Sequence, residues 1–179
     1  MITFRIAKVE DASRILEIYA YYVENTAVSY EYDVPSIAEF TERVRSTLVK
    51  YPYIVAEEDG RIVGYIYASR FAQRAAYGWA AGTSIYIDRD FHRRGIGKLL
   101  YEKLEAILKL QNITNLYAGA ADPMEEEDPY LTETASIFMR RSATSRLPAT
   151  TAVAASSADG TTSFGWRRLP TSTVFLRRQ

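Results

Sequence analysis

The run His92-Arg93-Arg94-Gly95-Ile96-Gly97-Lys98 sets two glycines one residue apart inside a basic turn. That combination suits an anion. Glycine lets a ligand approach the backbone N–H groups closely, and arginine and lysine surround them with positive charge. An apolar, strand-like stretch, Ser84-Ile85-Tyr86-Ile87, leads into the turn. The turn opens into a helix whose apolar positions recur as Leu99, Leu100, Leu104, Ile107 and Leu108. A strand, a glycine turn and a helix start bring unpartnered N–H groups and the positive end of the helix dipole to one place, which is chemistry for holding phosphate. The same pattern also serves as an ordinary turn before a core helix, so its surroundings decide.

Two familiar phosphate loops do not fit. The dinucleotide fingerprint asks for a third glycine where Leu100 stands. The nucleotide-triphosphate loop asks for glycine at His92 and for Ser or Thr at Leu99. The pyrophosphate loop of the GNAT superfamily of N-acetyltransferases, Arg/Gln-x-x-Gly-x-Gly/Ala, is the one this run resembles, with His92 in the first position. The substitution changes one side-chain contact and leaves the backbone cradle.

The elements that position this loop follow from pattern. At 179 residues the chain is expected to form one domain with a full core. With no cysteine, disulfides, thiol nucleophiles and thiolate metal sites are excluded, and one histidine leaves little material for zinc. No apolar run approaches a membrane span, and the N-terminus lacks a signal-peptide pattern. The expectation is a soluble cytoplasmic protein that does not engage a membrane. Net charge is zero, yet seven of the 22 basic residues and only two of the 22 acidic ones follow Thr132. The body is therefore acidic, which argues against a nucleic-acid surface.

In order, Thr3 to Ile6 alternates as a strand, and a helix from about Glu10 to Glu24 sets Ala12, Ile15, Tyr19, Tyr22 and Val23 on one face. Ser36 and Glu39 have capping-box spacing before a second helix with the stripe Ile37, Phe40, Val44 and Leu48. Tyr53–Glu57 and Arg61–Phe71 read as a hairpin across Glu58-Asp59-Gly60, and Asn115-Leu116-Tyr117-Ala118 as a further strand. This order resembles the GNAT fold through its first five strands. The expectation is an α/β (α+β) chain with a mixed, mostly antiparallel central sheet flanked by helices. Thr26-Ala27-Val28-Ser29-Tyr30, Tyr51-Pro52-Tyr53, Arg74-Ala75-Ala76-Tyr77-Gly78-Trp79, Thr83-Ser84-Ile85-Tyr86-Ile87 and Tyr130-Leu131-Thr132 further resemble the phosphinothricin acetyltransferase branch. The likeness covers residues 1–132, the acetyltransferase core, and leaves 133–179 as an aberrant tail.

The resemblance implies transfer of acetyl from acetyl-CoA to the amine of a small molecule such as phosphinothricin or methionine sulfone, by a homodimer without a metal. Cofactor contacts are expected from the edge of Ile85, Tyr86 and Ile87, the backbone of Gly95, Ile96 and Gly97, and the side chains of Arg93, Arg94 and Lys98. Where the branch carries a glutamate base before the Thr-Ser-Ile-Tyr strand and an aspartate before the tryptophan, this chain has Gly82 and Gly78. Glu31, Tyr30 and Tyr86 could partly replace them, with Glu31 and Tyr86 the catalytic candidates. Weakened catalysis, acetyl-CoA binding with little turnover, and the inactive product of a disrupted gene all stay open.

From Thr132 to Gly165, Ala, Ser and Thr make up 20 of 34 residues, and no element pattern lasts. A shifted reading frame accounts for this. Offset by one base, Gly160–Arg168 permits Trp-Tyr-Asp-Ile-Val-Trp-Met-Glu-Lys, similar to the family's usual ending. Out-of-frame translation after about Thr132 would remove the closing strands and leave the fifth strand's edge bare, with few buried residues beyond Ile137, Phe138, Val174 and Phe175. A low-complexity basic tail is the alternative. Resequencing around codon 133 separates the two.

Overall fold

The computed structural model describes residues 1–29, 31–119 and the backbone of 174–177. Expectations for Tyr30, for Ile137, Phe138 and the rest of 120–173, and for the Val174 and Phe175 side chains, lie outside the described residues.

Strand β1 (Ile2–Ile6) leads to helices α1 (Ala12–Asn25) and α2 (Ile37–Leu48). The hairpin of β2 (Tyr53–Glu58) and β3 (Arg61–Arg70) follows, then β4 (Ala80–Ile87), α3 (Ile96–Leu110), β5 (Asn115–Ala118) and β6 (Val174–Arg177). The sheet order is β1-β2-β3-β4-β5-β6. Every neighbouring pair is antiparallel except β4 and β5, whose parallel pairing requires the α3 crossover. The β2–β3 turn puts Asp59 at φ 52° and Gly60 at φ 79°, the left-handed pair that suits a tight hairpin. β6 lies along β5 from Asn115↔Arg177 to Ala118↔Val174, so the edge that a missing tail would leave bare carries four residues of ladder.

Strand alternation sends each sheet residue to one of two cores. Ile54, Ile66 and Ala81 meet Leu100, Leu104 and Leu108 of α3 on one face. Val55 and Tyr65 meet Ile15, Tyr19 and Val44 on the other, beneath α1 and α2. α2 begins at Ser36, whose Oγ accepts from Glu39 N at 3.2 Å, a cap worth about 1 kcal/mol. Two expected core residues are not buried. Ile37 is 50% exposed and Leu99 41% exposed. The inward stripe of α3 is instead Ile96, Leu100, Tyr101, Leu104 and Leu108, spaced at three and four residues. No helix among the described residues is long and apolar enough to cross a membrane.

Gly64 lets β3 and β4 meet. A Cβ there would fall 2.6 Å from Ile87 Cδ1 and 3.2 Å from the Tyr86 carbonyl, in the buried middle of β3. Gly64→Ala is expected to lower unfolding stability by about 1–3 kcal/mol through overpacking, read as a shifted denaturant midpoint at unchanged slope.

Candidate active site

The end of β4 offers an open edge. Asp88 N donates to Val63 O at 2.9 Å, which fixes the phase of the β3–β4 ladder. Ser84 and Tyr86 therefore exchange hydrogen bonds with Tyr67 and Tyr65, while the amides of Ile85 and Ile87 face the other way. On that side pairing with β5 stops at Thr83↔Ala118. Among the described residues, no backbone pairs with Ile85 or Ile87 there. A polyamide chain laid along this edge meets the N–H and C=O of Ile85 and the N–H of Ile87. The Ile87 carbonyl has side-chain neighbours: the Tyr22 hydroxyl donates to it, and His92 Nε2 lies 3.0 Å away. Tyr22 and His92 are themselves 2.9 Å apart. The sequence pattern assigns Tyr22 to the core and His92 to the loop, and the fold brings both to the strand's end.

Of the three expected strand contacts, only the residues at 85 and 87 present edge amides. The Tyr86 backbone is committed to β3, and its ring packs among Tyr19, Tyr22 and Tyr65 with centroids 5.1 to 5.4 Å away. Burial above all, with neighbouring phenols and Glu31 adding, pushes the Tyr86 phenol far above its ordinary value. A phenol raised so far keeps its proton, which counts against Tyr86 as a base.

Asp88 ties the strand's end to the glycine turn. Its carboxylate takes Arg14 and Arg61 on one oxygen and caps the short turn at Arg89–Phe91 by accepting from Asp90 N on the other. The chain then turns through Arg93 at φ 59° and Gly95 at φ 77° into α3. Gly95 occupies the cap position without a side-chain cap, and a Cβ there would meet nothing within 4 Å. The N–H groups from Arg94 to Lys98 make no hydrogen bond with any described residue; the first helical bond is Leu99 N to Gly95 O. The Ile96 side chain is buried in the α3-side core and anchors the helix start beneath the exposed turn. The amides are thus bare at the positive end of a helix of 15 residues.

The three basic side chains behave differently. Arg93 is exposed and has no partner among the described residues. Lys98 is exposed, 3.9 Å from Glu102 one turn on. Arg94 gives its fork to Glu58, with Nη1–Oε2 at 2.9 Å and Nη2–Oε1 at 2.6 Å, and its guanidinium covers Phe91 at 4.9 Å. For a phosphate, Arg94 is available only by leaving Glu58.

Glu31 lies in the α1–α2 connection on the same sheet face as Tyr86. Its Oε1 accepts from Arg43 Nη1 at 2.7 Å, and Arg43 Nη2 donates to Glu39. Its Oε2 is buried without a hydrogen-bond partner among the described residues. The Tyr19 phenol is pushed up to about 12, by burial first and then by the Glu31 carboxylate. Arg43 escapes notice in the sequence because its spacing from Glu39 makes it look like a solvated helix pair. Beside it opens a cavity of about 260 Å³ walled by Tyr19, Phe40, Tyr53, Tyr65 and Tyr67. Gly82 and Gly78 carry no acid. A Cβ at 82 would lie 3.1 Å from Ser69 Oγ, and one at 78 would lie 3.1 Å from the Ala75 carbonyl. Among the described residues no group of three His, Cys, Asp or Glu side chains could hold a metal.

Known proteins are similar to this chain in sequence and fold. A phosphinothricin N-acetyltransferase of Alcaligenes faecalis is 35% identical over 99 residues, covering 55% of this chain and 50% of its own. The chain therefore spans about half the length of that curated relative. The crystal structure of a phosphinothricin acetyltransferase from Sinorhizobium meliloti in complex with AcCoA is 34% identical and superposes with a TM-score of 0.65, over 67% of this chain and 66% of that one. An N-acetyltransferase structure from Staphylococcus aureus Mu50 is 29% identical with a TM-score of 0.68, over 79% and 81%. Residues 4–133 match the acetyltransferase (GNAT) domain, and with bare amides at the start of α3 and an open edge on β4, the chain belongs to the GNAT acetyltransferase family.

Proposed function

We propose that the protein transfers acetyl from acetyl-CoA to the amine of a small molecule, with amino acids of the phosphinothricin and methionine-sulfone type as the first acceptors to test. The observation that carries this is the pairing of two open backbone features, the Arg94–Lys98 amides and the Ile85 and Ile87 edge, joined by the Asp88-capped turn. The amides of Gly95, Ile96 and Gly97 take the diphosphate, with Arg93 and Lys98 adding charge. The strand edge takes the extended amide arm of the cofactor and faces an N–H to the thioester oxygen as charge grows on it. The S. meliloti relative, whose structure holds AcCoA, supports acetyl-CoA as the cofactor.

Once both substrates are held, the free amine attacks the thioester carbonyl. The C–N bond forms, the C–S bond breaks, and the amine's extra proton leaves as the thiolate is released. Holding the pair together converts a bimolecular encounter into an intramolecular one. Glu31 is the carboxylate set to receive that proton, and Tyr86 walls the site. Without an acid at 82 the reaction is slower than with a dedicated base, since such a base contributes about 10²–10⁴-fold.

The decisive test is binding. CoA at 100 times its Kd is expected to stabilise the full chain by about 2.7 kcal/mol, seen as a raised melting temperature, with thiol release on adding an acceptor. No shift at millimolar CoA overturns the reading. A CoA shift without thiol release for any amine favours a binding protein, the reading that Gly82 and Gly78 would support. A homodimer and a cytoplasmic location are further expectations of this reading, the first checked by light scattering.

A further inference from the structure

Arg94 stands between the two left-handed residues of the glycine turn, Arg93 at φ 59° and Gly95 at φ 77°. Glycine adopts that backbone freely, whereas an arginine at 93 holds it only where its surroundings enforce it. The Arg94 side chain is fixed at two points. Its fork closes on both oxygens of Glu58 at 2.9 and 2.6 Å, and its guanidinium lies over the Phe91 ring at 4.9 Å. Both anchors are themselves held. Glu58 pairs with Ile2 of β1 on one side and with Arg61 of β3 on the other, and Phe91 packs against the α3-side core. An isolated surface ion pair would carry little weight. This one has a bidentate fork, a ring beneath it, and a carboxylate side chain only 20% exposed. Hydrogen bonding from Arg94 also holds the Glu58 carboxyl below its ordinary value, so the pair is charged at neutral pH.

Resting on the acetyltransferase reading above, we propose that Arg94 and Glu58 are positioning residues for the cofactor. The pair ties the glycine turn to the β2–β3 hairpin and so keeps the Arg94–Lys98 amides facing outward for the diphosphate. Charge alone predicts the opposite of what position predicts. A carboxylate within reach of Arg94 opposes an incoming diphosphate, and by occupying the guanidinium it withholds a cation from it. Were Arg94 a phosphate ligand in waiting, removing the Glu58 charge would therefore tighten CoA binding. Were the pair a tether, the same change would loosen the turn and weaken binding. Geometry favours the tether, because the fork is saturated by Glu58 while Arg93, exposed and with no partner among the described residues, is left to supply charge.

The experiment titrates CoA into the full chain by calorimetry for the parent, Glu58→Gln, Arg94→Gln, Arg94→Lys and the double variant E58Q/R94Q. Glu58→Gln and Arg94→Gln are each expected to weaken CoA about fivefold, the scale of a half-exposed ion pair, and the double variant no further than either alone. Arg94→Lys keeps the charge but not the fork, and is expected to weaken CoA as Arg94→Gln does. In thiol-release assays KM for acetyl-CoA should rise with kcat unchanged. KM for S-acetylpantetheine, which has no diphosphate, should stay within twofold, a split that general loss of structure would not give. Unchanged or tighter CoA binding in Glu58→Gln, or parental affinity in Arg94→Lys, overturns the tether while the parent's CoA binding leaves the acetyltransferase reading standing. No CoA binding by the parent overturns that reading, and this one with it. Arg94→Lys decides the matter even if a Glu58 variant fails to fold.

Discussion

Gly82→Glu is expected to raise kcat/KM about 10²-fold near neutral pH, because a carboxylate there would face the reacting amine. Thr83 Oγ1 meets Tyr101 Oη at 3.2 Å, and Ala81 and Ile85 belong to the α3-side core, so the odd residues of β4 point toward α3. The even residues point the other way, as Tyr86 shows by packing on Tyr19. A glutamate at 82 therefore emerges on the face that carries Glu31. The backbone tolerates the branch point: a Cβ there meets only the Ser69 hydroxyl at 3.1 Å, and a hydroxyl can rotate away. A positioned carboxylate adds about 10²–10⁴-fold when it takes a proton in the transition state. The pH profile gives an independent check. With the native glycine, kcat/KM should climb with pH as the free-amine fraction climbs. The variant should level off earlier, because its carboxylate is already ionised. A variant that keeps its melting temperature and CoA shift yet gains no rate would show that position 82 does not face the reacting amine.

Local grammar is legible in the sequence. Ser36 with Glu39, Asp59-Gly60, and the Gly95–Lys98 turn are each set by neighbouring residues, and each is found where the pattern places it. Errors arise where the answer depends on distant chain. Leu99 reads as core because it is apolar and inside the helix. The inward stripe is only about 100° wide, however, and Leu100 and Tyr101 fill it instead. Arg94 reads as a phosphate ligand from its place beside the glycines, but Glu58, in the β2–β3 hairpin, has claimed its fork. The strand edge is the clearest case. A run of Ser-Ile-Tyr-Ile announces a strand, yet which amides stay open is decided by ladder phase against β3 and by where β5 ends. Register is a property of three strands together, and no single stretch carries it. The Glu31–Arg43 pair is illegible for the same reason: it spans a connection and a helix turn whose relative placement only tertiary packing defines.

Gly95→Asp should abolish CoA-induced stabilisation while sparing the fold, with affinity falling about 10²-fold or more. Gly95 sits at φ 77° with nothing within 4 Å of a Cβ. Aspartate is among the few side chains that tolerate this left-handed backbone, so the turn should survive. What changes is charge. A carboxylate about 5 Å from a diphosphate, at an effective dielectric near 20, opposes each negative charge by about 3 kcal/mol. Solvent and salt reduce that figure at so exposed a turn, which still leaves a loss of that order in affinity. Gly95→Asn is the control, since it keeps the backbone preference and the side-chain size but adds no charge. Titration calorimetry of both variants with CoA separates the two effects. If Gly95→Asn retains most of the affinity and Gly95→Asp loses it, the bare amides at the start of α3 are the anion seat. If Gly95→Asp binds CoA as the parent does, the phosphates rest elsewhere, and the open strand edge alone would have to account for any cofactor held by this chain.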